Sequence, residues 1–145
     1  MTTSNGLLRL GPDLPAVPLE IAASYRARTR GLLGRDGIPG AALLLTPAGS
    51  VHTFRMRFAI DVAYLDRHLR VIALTTMPPN RLGLPRLRSR HVLEAEAGAM
   101  AAWGLRAGSR LDIEGPHGGT PLDRRRPDPR RGAAGPSDPD ALDTR

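Results

Sequence analysis

Ile60-Asp61-Val62-Ala63-Tyr64-Leu65-Asp66-Arg67-His68-Leu69-Arg70-Val71-Ile72-Ala73-Leu74 is the stretch whose reading decides the fold. Ile60, Val62 and Tyr64 recur at period two, which places them on one side of an extended chain. Asp66-Arg67-His68 is a tight polar connection, and Leu69 to Leu74 returns as a second strand. The pair reads as a β-hairpin.

Working upstream, Val51-His52-Thr53-Phe54-Arg55-Met56-Arg57-Phe58 alternates with Phe54, Met56 and Phe58 facing one way and Thr53, Arg55 and Arg57 the other. That alternation predicts another strand. Ala41 to Thr46 is a short apolar run ended by Pro47 and predicts a buried strand. Leu19, Ile21 and Ala23 alternate as a strand. Ser24 can cap a helix over Tyr25 to Gly34, which Gly34 and Gly37 stop. Downstream, residues 77–90 carry Pro78, Pro79, Gly83 and Pro85 and predict an irregular loop. His91 to Ala97 predicts a strand, Gly98 to Gly104 a helical turn with Trp103, and Arg110 to Glu114 a last strand. About seven strands and two short helices, without βαβ spacing, favour a mainly β antiparallel sandwich or barrel over a parallel α/β sheet.

The flanks read differently. Residues 1–17 hold prolines and no hydrophobic period, so a loose N-terminal arm is expected, with one globular domain over 18–115. Residues 116–145 are rich in Pro, Arg and Asp and almost free of large apolar residues. Such a segment cannot bury enough surface to offset ordering entropy, and a disordered tail is expected.

The 145 residues include no cysteine and carry a net charge of +7. Without cysteine there is no disulfide, thiolate nucleophile or cysteine-ligated zinc. Every basic residue is arginine, which together with abundant Ala, Gly and Pro fits the codon bias of a GC-rich genome; nucleic-acid binding is the other reading of a basic chain. No basic region followed by a sustained apolar stretch opens the sequence, and no apolar run is long enough to span a bilayer. A cytoplasmic protein with no membrane span is expected.

Five motifs stand in order: Arg28-Thr29-Arg30-Gly31-Leu32-Leu33-Gly34-Arg35; His52-Thr53-Phe54-Arg55-Met56; Ile60-Asp61-Val62; Val92-Leu93-Glu94 with Ala97-Gly98; and Gly104-Leu105-Arg106-Ala107-Gly108. Over roughly residues 19–114 the chain resembles the domain-of-unknown-function 192 family of bacterial and archaeal proteins. The resemblance implies a compact β-sandwich classed with jelly-roll-like folds, with a short helix after the first strand, and no known activity. The chain departs from the family in having Arg55 where glycine is frequent and Ala59 where proline is frequent.

Few residues have the chemistry of a site. His52, His68, His91 and His117 form no i,i+4 pair and have no carboxylate at ligand spacing, so no metal site and no cofactor is expected. His52, beside Thr53 in a family motif, is the best candidate among them. No nucleophile elbow, phosphate-cradling loop or dinucleotide fingerprint occurs. Asp61 and Glu94 sit inside apolar strands, where a carboxylate either faces solvent or is buried with a partner. Arg28, Arg35 and Arg57 are the matching cations. One expectation is a partly buried cluster of Arg35, Asp61 and Glu94, either an ion-pair network or a ligand pocket. Arg28, His52, Thr53, Met56 and Arg57 complete the candidates. The leading functional reading is a non-enzymatic module that binds an unknown small molecule or protein. The rivals are a small enzyme using Asp61 or Glu94 as acid or base, and a non-specific nucleic-acid binder acting through the basic loop 81–90.

Overall fold

In the computed structural model, residues 3–115 are described. The elements run β1 (Thr3–Arg9), β2 (Val17–Ala22), α1 (Tyr25–Arg30), β3 (Ala42–Leu45), β4 (Ile60–Leu65), β5 (Val71–Met77), β6 (His91–Glu96), α2 (Ala99–Ala102) and β7 (Asp112–Glu114). The mainly β reading, with seven strands and two short helices, holds. The tail at 116–145, with His117, lies outside the described residues.

The β4·β5 hairpin anchors the sheet. Its connection is held by Asp66, whose Oδ1 accepts the backbone N–H groups of His68 (2.8 Å) and Arg70 (3.0 Å). The strands join one sheet in the order β5-β4-β6-β3-β2-β1-β7. Its two edges meet where Val71 N–H donates to Ser109 O and Leu111 N–H to Leu69 O, at 2.8 and 2.9 Å. The sheet therefore curls into a barrel-like form.

Three sequence expectations need correction. First, residues 3–9 are strand β1, paired with both β2 and β7, not a loose arm. Leu8 is fully buried there, and one well-placed leucine with main-chain pairing on both sides orders the segment. Second, β2 and β3 pair in parallel, within an otherwise antiparallel sheet. The connection from 23 to 41 is long enough for such a crossover, but its helix has only six residues and left no long helical period to read. Third, Val51 to Phe58 is not a strand. It makes one isolated bridge, His52 to Leu82, and otherwise turns. Its buried side chains are Val51, Thr53 and Met56, whereas Phe54 is exposed, so the alternation did not mark a face. Arg55 has φ 60°, a left-handed conformation that favours glycine.

The core has two halves, one on each face of the sheet. Inside the curl pack Leu8, Leu19, Leu44, Leu65, Leu93 and Ile113, closed by Met100 of α2. On the outer face pack Leu43, Ile60, Val62, Tyr64 and Val92, covered by Ala27, Leu32, Ile38 and Met56 from α1 and the loops. Strands β3, β4 and β6 are thus buried on both sides, which is why they read as continuous apolar runs. Residues one position apart on these strands serve opposite halves, and this decides where the two strand carboxylates go.

Candidate functional site

Asp61 and Glu94 face opposite sides of the sheet. In the β4·β6 register Asp61 is opposite Ala95, and Val62 is opposite Glu94. Ala95 belongs to the inner half of the core and Val62 to the outer half. The expected meeting of Asp61 with Glu94 is therefore ruled out by strand parity.

Asp61 is fully occupied on the inner side. Its Oδ1 accepts the Thr76 hydroxyl at 2.7 Å, and its Oδ2 accepts the N–H groups of Gly98 (2.9 Å) and Met100 (3.1 Å). It fixes the start of α2, whose entry residue Gly98 has φ 90° and offers no side chain to do so. Two of the sequence motifs, Ile60-Asp61-Val62 and Ala97-Gly98, are thereby one structural joint.

Arg35 goes elsewhere. Its guanidinium makes a two-pronged contact with Glu20 of β2, one prong at 3.2 Å. Glu20 gave no signal in sequence because it looked like the solvent side of an alternating strand. Arg57 pairs with Asp36 at 3.0 Å on the surface. Thr53 is wholly buried and structural: its hydroxyl donates to Pro78 O at 2.7 Å and accepts Arg81 N–H at 2.9 Å. It ties the 51–58 segment to the following loop.

Glu94 is different. It is 3% exposed and stands on the outer face between Leu43 and Val62 in the strand register. Its Oε2 is buried and accepts no hydrogen bond among the described residues. Burial pushes its pKa up to about 7, since the apolar surroundings disfavour the charged form. The carboxyl reaches a small cavity of about 70 Å³ lined by Arg28, Arg30, Gly31, His52, Met56 and Glu94, among others. Leu32, Leu45 and Val51 supply apolar wall. So the structure brings together Arg28, His52, Met56 and Glu94 from the candidate set, and leaves out Arg35, Thr53, Asp61 and Arg57.

The local sequence explains the cavity. Ser24 caps α1 by accepting Ala27 N–H at 3.1 Å, and Gly31 ends it with φ 49° and ψ −127°. That conformation suits glycine alone. A Cβ on Gly31 would stand 3.8 Å from Glu94 Oε2. The glycine therefore both ends the helix and keeps the space over the carboxyl open. Arg28 is tethered at the rim, donating to Pro47 O at 2.8 Å. His52, exposed, stacks on Phe54 with ring centroids 5.1 Å apart. Gly31 is the cavity-lining element that side-chain chemistry could not flag, although it lay inside the first motif. Among the described residues, no three His, Asp or Glu side chains gather where they could share a metal ion. No helix of the described residues is long and apolar enough to cross a membrane.

A family model, described as an uncharacterized ACR of the domain-of-unknown-function 192 type, matches residues 9–113. A UPF0127 protein of Pyrococcus horikoshii is 35% identical over 86 residues, 55% of this chain and 73% of its own. A UPF0127 protein of Pyrococcus abyssi is 29% identical over 100 residues, 65% of this chain and 84% of its own. Two crystal structures share the fold. One is a Sinorhizobium meliloti 1021 protein provisionally called a transcription regulator, with TM-score 0.68 and 18% identity, covering 78% of this chain and 96% of that one. The other is a protein of unknown function from Novosphingobium aromaticivorans, with TM-score 0.63 and 16% identity, covering 76% and 84%.

Proposed function

The chain belongs to the domain-of-unknown-function 192 family, and from that premise we propose that it is a binding module whose ligand places a small polar end group on Glu94. The observation that carries this reading is the buried Oε2 without a hydrogen-bond partner, beside a cavity held open by Gly31. A buried polar atom left unsatisfied costs about 1–3 kcal/mol, a cost that a ligand's donor would remove. The cavity admits only a compact group such as an ammonium, amide or hydroxyl end, with the rest of the ligand passing Arg28 and His52 at the rim. A carboxyl that titrates near neutrality can accept from such a group or, when protonated, donate to it.

The test is a nitrogen-15 amide NMR titration with methylammonium, guanidinium, acetamide and methanol. At least one should shift Gly31, Val51 and His52, and Glu94→Leu, which removes the carboxyl but keeps an apolar filling, should abolish the shifts. Shifts that survive Glu94→Leu, or no shift with any probe, would count against the reading. A second reading, general acid–base catalysis by Glu94, draws support from the same pKa near 7, which suits proton transfer at physiological pH. Asp61, with Oδ1 taken by Thr76 of β5 and Oδ2 by the start of α2, supports neither.

A further inference from the structure

We propose that a second site, the groove between β5 and residues 78–86, binds an extended acidic peptide segment of a partner protein. The groove has a volume of about 300 Å³ and is lined by Tyr64, Thr75, Met77, Arg81, Leu84 and Arg86, among others. It lies apart from Glu94, which does not line it.

Four observations carry the proposal. First, the loop is fixed while its apolar residues point outward. Gly83 N–H donates to Val51 O and Arg86 N–H to Gly49 O, both at 2.8 Å, and the Ser89 hydroxyl donates to Ala48 O at 3.0 Å. Yet Leu82, Leu84 and Leu87 are 71%, 75% and 96% exposed. A floppy loop can turn its leucines inward; a tied one presents them. Second, the groove floor is Tyr64, 1% exposed and ending in a hydroxyl. The Arg86 guanidinium lies 5.3 Å from the centre of its ring. A Cβ on Gly83 would fall 2.8 Å from that hydroxyl, so only glycine lets the loop approach it. Third, Arg81, Arg86, Arg88 and Arg90 stand in this segment without any acid between 77 and 90. Fourth, from Ile72 to Met77 the outer edge of β5 has no backbone partner among the described residues.

Together these select the occupant. A free strand edge offers main-chain hydrogen bonds to an extended chain. The exposed leucines match apolar side chains on it, and the arginines with the Tyr64 hydroxyl match its carboxylates. A second copy of this surface would set arginine against arginine. A concave groove with a hydroxyl floor suits a narrow chain better than a bilayer, and a segment with no aromatic residue lacks the stacking platform that single-stranded nucleic acid uses.

The experiment is fluorescence anisotropy with a labelled peptide of about eight alternating Glu and Val residues, a length that spans one strand edge. The controls are its Gln and Val counterpart, vesicles of phosphatidylcholine with phosphatidylglycerol, and a short oligothymidylate. The acidic peptide should bind, weaken with salt, and lose about tenfold affinity in Arg86→Glu and several-fold in Leu84→Ser. Gly83→Ala, which disturbs the loop's seat on Tyr64, should also weaken it. Absence of peptide binding, equal binding of the neutral peptide, binding unchanged by Arg86→Glu and Leu84→Ser, or tighter binding to vesicles or oligonucleotide would each overturn the proposal.

Discussion

Gly31 and Glu94 face each other across the outer side of the sheet, with a Cβ on Gly31 falling 3.8 Å from Glu94 Oε2. One residue gives up a side chain, and the other leaves a buried oxygen without a partner. Unlike Gly34 and Gly98, whose missing Cβ would meet nothing within 4 Å, Gly31 would set its Cβ against a functional-group oxygen. This pairing makes the outer face, rather than the inner one, the place where a ligand is expected.

The first prediction concerns pH. The Glu94 pKa is raised from its ordinary 4.5 to about 7 by burial. Below 4.5 the carboxyl is protonated in both folded and unfolded chains, so its contribution is whole. As pH rises to 7 the unfolded chain releases the proton and the folded one keeps it, so stability is lost; above 7 the penalty is constant. The shift corresponds to about 3 kcal/mol. Glu94→Gln carries no proton to lose, so its stability relative to the unsubstituted protein should grow by about that amount between pH 4 and pH 8. Urea denaturation at several pH values reads this, and parallel stability profiles for the two proteins would refute it.

Asp61 should behave as a purely structural carboxylate. Asp61→Ala leaves the Gly98 and Met100 N–H groups and the Thr76 hydroxyl without their acceptor. The expected loss is about 3 kcal/mol or more, as for breaking a buried charged hydrogen-bond set. Asp61→Asn keeps one acceptor oxygen and should cost less. Chemical denaturation of both variants distinguishes this from a functional role, in which removing the charge would be neutral or stabilising.

The ion pairs should couple as the geometry dictates. Arg35 and Glu20 are each about a third exposed, at 35% and 29% of the side chain, so a double-mutant cycle should give at most about 1 kcal/mol. Arg35 with Glu94, and Asp61 with Glu94, should give coupling near zero. A coupling above about 1 kcal/mol between Asp61 and Glu94 is incompatible with their lying on opposite faces.

Gly31→Ala tests the helix end. With φ 49° and ψ −127°, any Cβ is strained there, so a loss of about 1–3 kcal/mol is expected. Gly34, with φ 79° and nothing near its missing Cβ, is a control in which strain acts without any effect on the cavity. Gly31→Ala should weaken binding of small probes at Glu94, and Gly34→Ala should not, as NMR titration of the two variants would reveal.

Much of the fold was legible because strands buried on one or both faces write their pattern into the chain. The β4·β5 hairpin, the buried run at β3 and the Ser24 cap all follow from side-chain period and cap chemistry. What failed did so for physical reasons. Residues 51–58 alternate by composition, but their backbone is committed to the loop at 78–83 through Thr53, a tertiary contact with no local signature. Strand β1 is held by partners at its two sides, β2 and the distant β7. The candidate site was half legible: Arg28, His52, Met56 and Glu94 do gather. Asp61 and Arg35 do not, because which face a strand residue takes depends on register with a neighbour far away in sequence. Glu20, whose role comes entirely from its partner Arg35, gave no signal, and Tyr64 signalled only its face of the strand.

The most direct single measurement is the titration of the Glu94 side-chain carboxyl by carbon-13 NMR in the free protein, with Glu94→Gln to identify the signal. A midpoint at about 7 is expected, as befits a carboxyl buried without a partner beneath Gly31. A midpoint near the ordinary 4.5 would mean that the carboxyl is solvated or paired, and that the pocket offers a ligand nothing the protein has not already satisfied.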